Sequence, residues 1–480
     1  MPQSKEGMTA KKAENFDEWY SQVILKSEIA DYSPVSGCMV FRPSGYAIWE
    51  NVQKATDAEF KRAGILNSYF PLFIPERLLK KEAEHVEGFS PEVAWVTEAG
   101  NSKLDERLAI RPTSETVMYE VISKWIRSWR DLPLRLNQWN NVVRWEFRHP
   151  TPFLRSREFL WNEGHSAFAS KDQADAERDQ ILGIYARITE ELMALPGVLG
   201  RKSDQEKFAG AEATYSMEYL LPDGKAVQGP DFHSDGQKFS KAFEIVFVDE
   251  NGERQFAWQN TWAISTRMLG VMLAVHGDDK GAVVPPPLAQ IQVVVVPIVN
   301  DENKMEVNAA ASKVFDSLAS DFRVKLDDRD HLTPGRKFNE WELKGVPLRV
   351  ELGPRDLKSE QAVLVRRDTG TKRLVALGAV VAEVGKELKV IQTNLLSKAR
   401  EGLRENTRDV HDLQELKKSV AGKGGINRIL WCGKKKCEDE LKAATGGKIL
   451  NMPLDESAPE GRCISCGEPA ATKANFARSF

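Results

Sequence analysis

The sequence predicts an α/β protein in three units. These are a large N-terminal α+β unit over residues 1–287, with an antiparallel sheet and flanking helices, an α/β domain over 288–395, and a small cysteine-bearing unit over 396–480. Three observations predict it. At 480 residues the chain is about three times an ordinary domain of ~150 residues. Its composition changes twice: ten of the twelve Trp precede residue 288, and four of the five Cys lie in the last 49 residues. From residue 291 onward, strand and helix patterns alternate, the mark of a small α/β domain with a partly parallel sheet.

Composition excludes several classes. Apolar residues at 41% and charged residues at 29% describe a globular, water-soluble chain. The 67 basic and 70 acidic side chains leave a formal charge of −3, which argues against non-specific coating of nucleic acid but permits a local patch. The longest apolar run, residues 291–299, contains Gln292 and Pro297 and is far short of the ~20 residues of a bilayer span. Residues 1–15 are polar with both charge signs, unlike a secretory signal or a transit peptide. Five Cys make no secreted disulfide framework. The expectation is a cytoplasmic protein with no membrane partner.

Residues 109–117 hold Thr113 and Glu115 in a turn marked by Pro112, ahead of a helix outlined by Met118, Val121, Ile122 and Trp125. Alone, this is also an ordinary helix cap. Residues 141–147 alternate as a strand, with Val143, Trp145 and Phe147 on one side and Arg144 and Glu146 on the other. After a polar loop, residues 157–165 alternate again and gather Phe159, Trp161, Glu163 and His165. Two such antiparallel strands would put a guanidinium, carboxylates and aromatic faces on one surface. That set suits a phosphate and a purine; it also describes an idle, ion-paired sheet face. Within and beyond residues 256–270, Ile264, Met268, Val271, Met272 and Val275 mark the buried stripe of a helix running to about His276. Arg267 lies off that stripe among Ala263, Gly270 and Ala274, with room for an anion or as a plain surface cation.

Pro285-Pro286-Pro287 suggests a stiff linker. The β-branched run after Ile291 suggests a strand buried on both faces. Helices follow at 306–320 and 336–344, strands at 322–326 and 346–352, and a hairpin from Ala362 around Asp368-Thr-Gly370. Near the end, Cys432, Cys437, Cys463 and Cys466 leave 4, 25 and 2 residues in the gaps. Paired thiols at this spacing suit a four-thiolate structural Zn²⁺ site; two disulfides or coincidence are the alternatives. Cys38 stands alone as apolar filler.

Together these segments resemble the signature motifs of class II aminoacyl-tRNA synthetases. Residues 41–50 through 69–75 resemble motif 1, the dimer-forming element. Val143-Arg-Trp-Glu146 with residues 153–159 resembles motif 2, and residues 261–270 resemble motif 3 with Arg267 as its arginine. Within the class, residues 111–115, 159–165 and 331–347 are similar to prolyl-tRNA synthetases of the archaeal and eukaryotic form, over nearly the whole chain from Phe16 to Phe480.

The resemblance implies a catalytic domain at 1–287, an anticodon-binding domain at 288–395 and a zinc-binding domain at 396–480. It implies a homodimer that activates L-proline with ATP and Mg²⁺ and then transfers prolyl to the 3′ end of tRNA(Pro). Another class IIa synthetase, or a non-catalytic RNA-binding paralogue, is the alternative; the paralogue would be expected to lose Arg144 or Arg267, and both are present. By resemblance, Arg144 and Arg267 are catalytic. Thr113, Glu115, Arg144, Trp161, Glu163, His165 and His233 bind proline, and Arg144, Glu146, Arg155, Ser156, Phe159, Gln228, Ser265 and Arg267 bind ATP.

The chain departs from relatives just before His233, where Asp231 and Phe232 replace small hydroxyl residues. It also ends in Phe480 where relatives often end in Tyr, so docking of the tail on the catalytic domain is expected without a terminal hydroxyl. Candidate RNA contacts are Arg336, Phe338, Lys344 and Arg355; Trp341, at helical spacing from Phe338, is expected in the core.

Overall fold

The computed structural model describes residues 7–85, 92–146, 149–454 and 459–480. Phe147 and Arg148, expected in a strand and a loop, lie outside the described residues. Helix α1, Phe16–Lys26, is capped by Asn15 and buries Trp19, Tyr20, Val23 and Ile24 along one face. Helix α2, Pro43–Arg62, starts on a proline, whose missing N–H would have had no partner there.

Seven strands make the main sheet: β1 (Leu66–Asn67), β2 (Leu134–Val143), β3 (Glu158–Phe168), β4 (Val198–Arg201), β5 (Ala213–Leu220), β6 (Ala226–Gly236) and β7 (Trp258–Ser265). Their order is β1-β2-β3-β7-β6-β5-β4. The β1–β2 pair is parallel and the other five pairs are antiparallel. Helix α3 (Glu115–Ile122) precedes β2, α4 (Lys171–Arg187) follows β3, and α5 (Arg267–His276) follows β7. One sheet face buries Phe232, Trp262 and Ile264 in a core shared with α1, α4 and α5. Gly164 is required there: a Cβ would come within 2.0 Å of the Trp262 indole, which stacks on Phe232 at 6.1 Å and 8°. The opposite face is left to polar side chains.

The second unit has strands β8 (Val293–Pro297), β9 (Val324–Leu326), β10 (Leu348–Leu352), β11 (Gln361–Arg366) and β12 (Lys372–Ala376). They lie in the order β9-β8-β10-β11-β12. β8 runs parallel to both neighbours and is buried throughout. Helices α6 (Lys304–Ala319), α7 (Pro334–Leu343) and α8 (Val380–Glu405) accompany it. The proline stretch is packed rather than a free linker: Arg323 donates to the carbonyls of Pro286, Pro287 and Ala289 at 3.1, 2.9 and 2.8 Å.

Helix α8 runs unbroken through the expected 395/396 boundary, and its Val384, Leu388, Ile391 and Leu395 complete the core of the second unit. The strands of the third unit begin later: β13 (Thr407–Asp409), β14 (Ile426–Trp431), β15 (Lys448–Asn451) and β16 (Thr472–Ala477), ordered β13-β14-β16-β15 with helix α9 (Lys435–Thr445). This unit is tied to the first by Lys448–Glu206 at 2.6 Å and Ser203–Glu438 at 2.7 Å. Among the described residues, no helix is long and apolar enough to cross a membrane.

Candidate active site

The polar face of the main sheet is laid out in transverse rows by its register. Leu136, His165, Thr261, His233 and Thr214 stand side by side on β2, β3, β7, β6 and β5. The next row is Gln138, Glu163, Ala263, Asp231 and Ser216, and a third holds Asn140, Trp161 and Ser265. A cavity of about 310 Å³ over this face is lined by Thr113, Glu115, Arg144, Glu146, Trp161, Glu163, His233 and Thr261. A pocket of about 100 Å³ adjoins it, lined by Ser156, Phe159, Ser265 and Arg267. Arg144, Trp161, Gln228 and Asp231 line both.

The end of the cavity beside α3 is built around Glu163. Its Oε1 accepts from the Ser114 N–H at 2.6 Å, with the Thr113 oxygen 3.1 Å away. Its Oε2 accepts from Asn140 at 3.1 Å and Gln138 at 3.2 Å. The N-terminus of α3 is therefore capped by a carboxylate from β3, and the expected self-contained cap is not formed: Ser114 accepts from Gln138 instead, at 2.9 Å. Thr113 donates to Glu115. His165 Nδ1 meets the Tyr119 hydroxyl at 3.3 Å, and its Nε2 stands 3.5 Å from Glu163.

Burial would raise both carboxyls. At Glu163, the neighbouring His165 and the bonds from Ser114 and Asn140 outweigh burial and hold the group low. At Glu115, burial dominates, Glu163 adds to it, and the group is pushed up. Glu115, Glu163 and His165 converge closely enough to suggest a metal, but three donors already occupy the Glu163 oxygens. The cluster suits a small organic cation better.

At the other end, Arg144 donates from Nε to the Pro112 carbonyl at 3.0 Å. Its guanidinium lies 5.5 Å from the Phe159 ring and 5.2 Å from the Trp161 ring. β2 ends at Val143, so Arg144 and Glu146 sit in the turn beyond it rather than on a strand face. There the Arg144 N–H pairs with Arg157 at 2.7 Å, while the Trp145 N–H turns to Glu92 at 3.1 Å. Glu146 is exposed at the rim.

Residues 258–265 are strand β7 rather than the start of a helix, so Ile264 belongs to the sheet and α5 begins at Arg267. Arg267 donates to the carbonyls of Leu154 and Gln228, each at 3.1 Å. Burial, with Arg144 nearby, lowers its pKa. The small residue Gly270 leaves no room for an anion: a Cβ would lie 2.5 Å from the Tyr20 hydroxyl and 2.8 Å from Phe153.

Arg155 and the buried His165 are in neither lining. Arg155 faces an adjoining cleft and donates to the Phe480 main-chain oxygen at 3.2 Å. The tail does dock: the Phe480 N–H bonds Ala226 at 2.9 Å, and Lys225 covers the ring at 5.0 Å. The sequence reading missed Gln138, Asn140, Thr214 and Asp231 as site residues. The alternation of residues 134–143 carried the signal for the first two, had the strand been read back from Asn141.

The four C-terminal thiols lie within 4.8 Å of one another, with Cys432 Sγ 3.5 Å from Cys437 and 3.8 Å from Cys466. Sulfurs held 2.3 Å from a tetrahedral Zn²⁺ are spaced by about 3.8 Å, whereas a disulfide needs about 2.05 Å. Burial, with the adjacent thiols adding to it, pushes Cys437 up to about 12; a dication would reverse that. The donor set fits Zn²⁺.

Among the RNA-contact candidates, Trp341 is buried and donates to Asp327 at 2.8 Å, as expected of a core residue. Lys344 pairs with Glu28 of the first unit at 3.1 Å, and Arg349 covers Phe338 at 4.2 Å. Arg336 and Arg355 are exposed.

Comparison with known proteins agrees with this geometry. Residues 95–276 match the tRNA synthetase class II core domain (G, H, P, S and T), 292–387 an anticodon binding domain, and 413–480 the prolyl-tRNA synthetase C-terminal domain. The proline–tRNA ligase of Alkaliphilus oremlandii is 49% identical over 97% of this chain and 96% of its own. That of Cenarchaeum symbiosum is 46% identical over 99% and 100%. The crystal structure of prolyl-tRNA synthetase from Cryptosporidium parvum, complexed with halofuginone and AMPPNP, superposes with a TM-score of 0.94 at 42% identity, over 99% of this chain and 100% of that one. Likeness of this degree, from the first unit to the thiol cluster, means that the chain belongs to the prolyl-tRNA synthetase family.

Proposed function

We propose that this chain activates L-proline with ATP to give prolyl-adenylate and pyrophosphate, then transfers prolyl to the 3′ end of tRNA(Pro). One observation carries the reading: Arg144 lines both the cavity with the buried carboxylates and the pocket with Phe159 and Arg267. A guanidinium there can hold the proline carboxylate against the α-phosphate, and positioning and charge are what the reaction needs most. Thr113 and Glu115 take the charged imino nitrogen, while Trp161, Glu163, His165 and His233 bound the small ring. Phe159 stacks the adenine, Arg267 takes the γ-phosphate with Ser265 beside it, and Gln228, Ser156 and Glu146 complete the ATP site. Arg155 joins them by exchanging the Phe480 main-chain oxygen for phosphate. Mg²⁺ supplies charge neutralisation on the phosphates, with Glu146 the carboxylate at the rim.

Further parts of the reading follow. Units 1–287, 288–395 and 396–480 serve as the catalytic, anticodon-binding and zinc-binding domains, with Arg336 and Arg355 available to RNA. The chain works as a cytoplasmic homodimer, supported by exposed apolar side chains in and near the motif 1 region: Tyr32, Val40, Leu66, Tyr69 and Phe73. Cys432, Cys437, Cys463 and Cys466 hold a structural Zn²⁺.

ATP–pyrophosphate exchange across the twenty amino acids tests the function. Strong exchange with proline alone is expected; exchange driven by histidine or threonine instead would refute the specificity. Metal analysis of chelator-free protein should find about one Zn per chain, and its absence would remove the ligand assignment.

A further inference from the structure

His233 and Asp231 point the same way from β6; both line the larger cavity, and Asp231 lines the smaller one as well. The His233 Nδ1 lies 2.9 Å from the Thr214 hydroxyl, and the ring stacks on Phe208 at 4.7 Å. Its Nε2 lies 3.7 Å from Asp231 Oδ2. That oxygen accepts from the Gln228 amide at 2.8 Å, and the Gln228 carbonyl in turn holds Arg267. The Thr214 oxygen also accepts from the Phe208 N–H at 2.9 Å; in the tautomer in which it accepts the Nδ1 proton as well, the lone pair is on Nε2. A carboxylate at 3.7 Å is too far to bond the neutral ring, yet near enough to stabilise an imidazolium. Among the described residues, Asp231 Oδ1 is buried without a hydrogen-bond partner, which leaves that oxygen's charge uncompensated beside the ring.

We infer that His233 is the proton acceptor of the transfer step, with Asp231 the positioning residue that stabilises its protonated form. The inference rests on the proposed function, because it needs prolyl-adenylate in the cavity. The hydroxyl oxygen of the 3′-terminal ribose of tRNA forms a bond to the prolyl carbonyl carbon. The bond from that carbon to the phosphate oxygen breaks, and AMP leaves with the electron pair. The hydroxyl proton passes to His233 Nε2, and from the imidazolium to water.

The charged groups facing the ring are Asp231 on its own strand, Arg144 beyond β2, Lys202 beyond β4 and His165 on β3, with Glu206 at the cavity edge. Burial lowers the His233 pKa most, Asp231 opposes it, and Arg144, Lys202 and His165 lower it further. The ring is therefore neutral near pH 7, as a base must be.

The test measures single-turnover transfer from prolyl-adenylate to tRNA against pH, beside exchange, for the full chain, His233→Gln and Asp231→Asn. His233→Gln should slow transfer ~100-fold and slow exchange at least about tenfold less. Asp231→Asn should slow transfer about tenfold, less than the ~10²–10⁴-fold of a group that itself takes the proton. It should also shift the acidic limb of the transfer rate to lower pH, because the group that raises the His233 pKa is gone. Equal losses in both steps, or an unmoved limb, would overturn the assignment. So would a wild-type transfer rate with no limb below the ordinary histidine range, whatever the variants do. Absence of proline-dependent exchange in the wild type would instead sink the function on which the inference rests.

Discussion

The two ends of the cavity are built on different principles. At the end proposed for the amino acid, Glu163 receives three hydrogen bonds and is almost wholly buried, so its geometry is set before anything binds. At the nucleotide end, the guanidiniums of Arg144 and Arg267 rest on the neutral carbonyls of Pro112, Leu154 and Gln228. These bonds are already strengthened by the charged donor, but an anionic phosphate would add the attraction of opposite charges and so compete with a carbonyl partner. On the proposed function, a small rigid amino acid would meet a finished mould, and a flexible triphosphate would meet cations held in reserve.

The largest effect should come from Arg144→Ala, which touches both ends. Exchange should fall by about 10³-fold or more, roughly 4 kcal/mol, while circular dichroism shows the fold intact. Exchange that survives the change would remove Arg144 from the chemistry and leave the contrast resting on Arg267. Glu115→Gln is confined to the amino-acid end. It should raise KM for proline about 100-fold, within the cost of removing one partner of a buried charge pair, and move KM for ATP far less; parallel changes in both constants would show that the ends are not separable. The smallest effect is in pH. The raised Glu115 carboxyl is ionised, and pairs with the imino cation, only above its pKa. KM for proline should therefore climb several-fold as pH falls through a range above the ordinary carboxylate value of about 4.3, and the Gln variant should lose that climb.

Parity on residues 159–165 was enough to gather Phe159, Trp161, Glu163 and His165, because β3 is a regular strand bonded on both sides. The same parity failed one strand earlier: the apolar alternation of Val143 and Trp145 continues past the point where β2 stops pairing with β3 and Trp145 turns to Glu92. Ile264 sits four residues before Met268 and so mimicked a helical stripe, although its strand is paired on both edges. The prolines at 285–287 carry no local sign of Arg323, which comes from another element to hold them. Asp231 was legible as an oddity of sequence but not as a neighbour of His233 and Gln228, because its setting depends on the strands either side of β6. The cysteine spacing was legible because metal ligation depends on few residues.

Helix α8 joins lobes that the sequence separates. Its 26 residues span about 39 Å at 1.5 Å per residue. Midway and beyond, it is pinned to the first unit, where Gln392 donates to the Glu191 carbonyl at 2.7 Å and Arg400 pairs with Glu190 at 2.5 Å. Two attachments eight residues apart, about 12 Å along the axis, fix the direction of the helix as well as its position. With its first half packed in the core of the second unit, it acts as a strut that sets the alignment of that unit against the first.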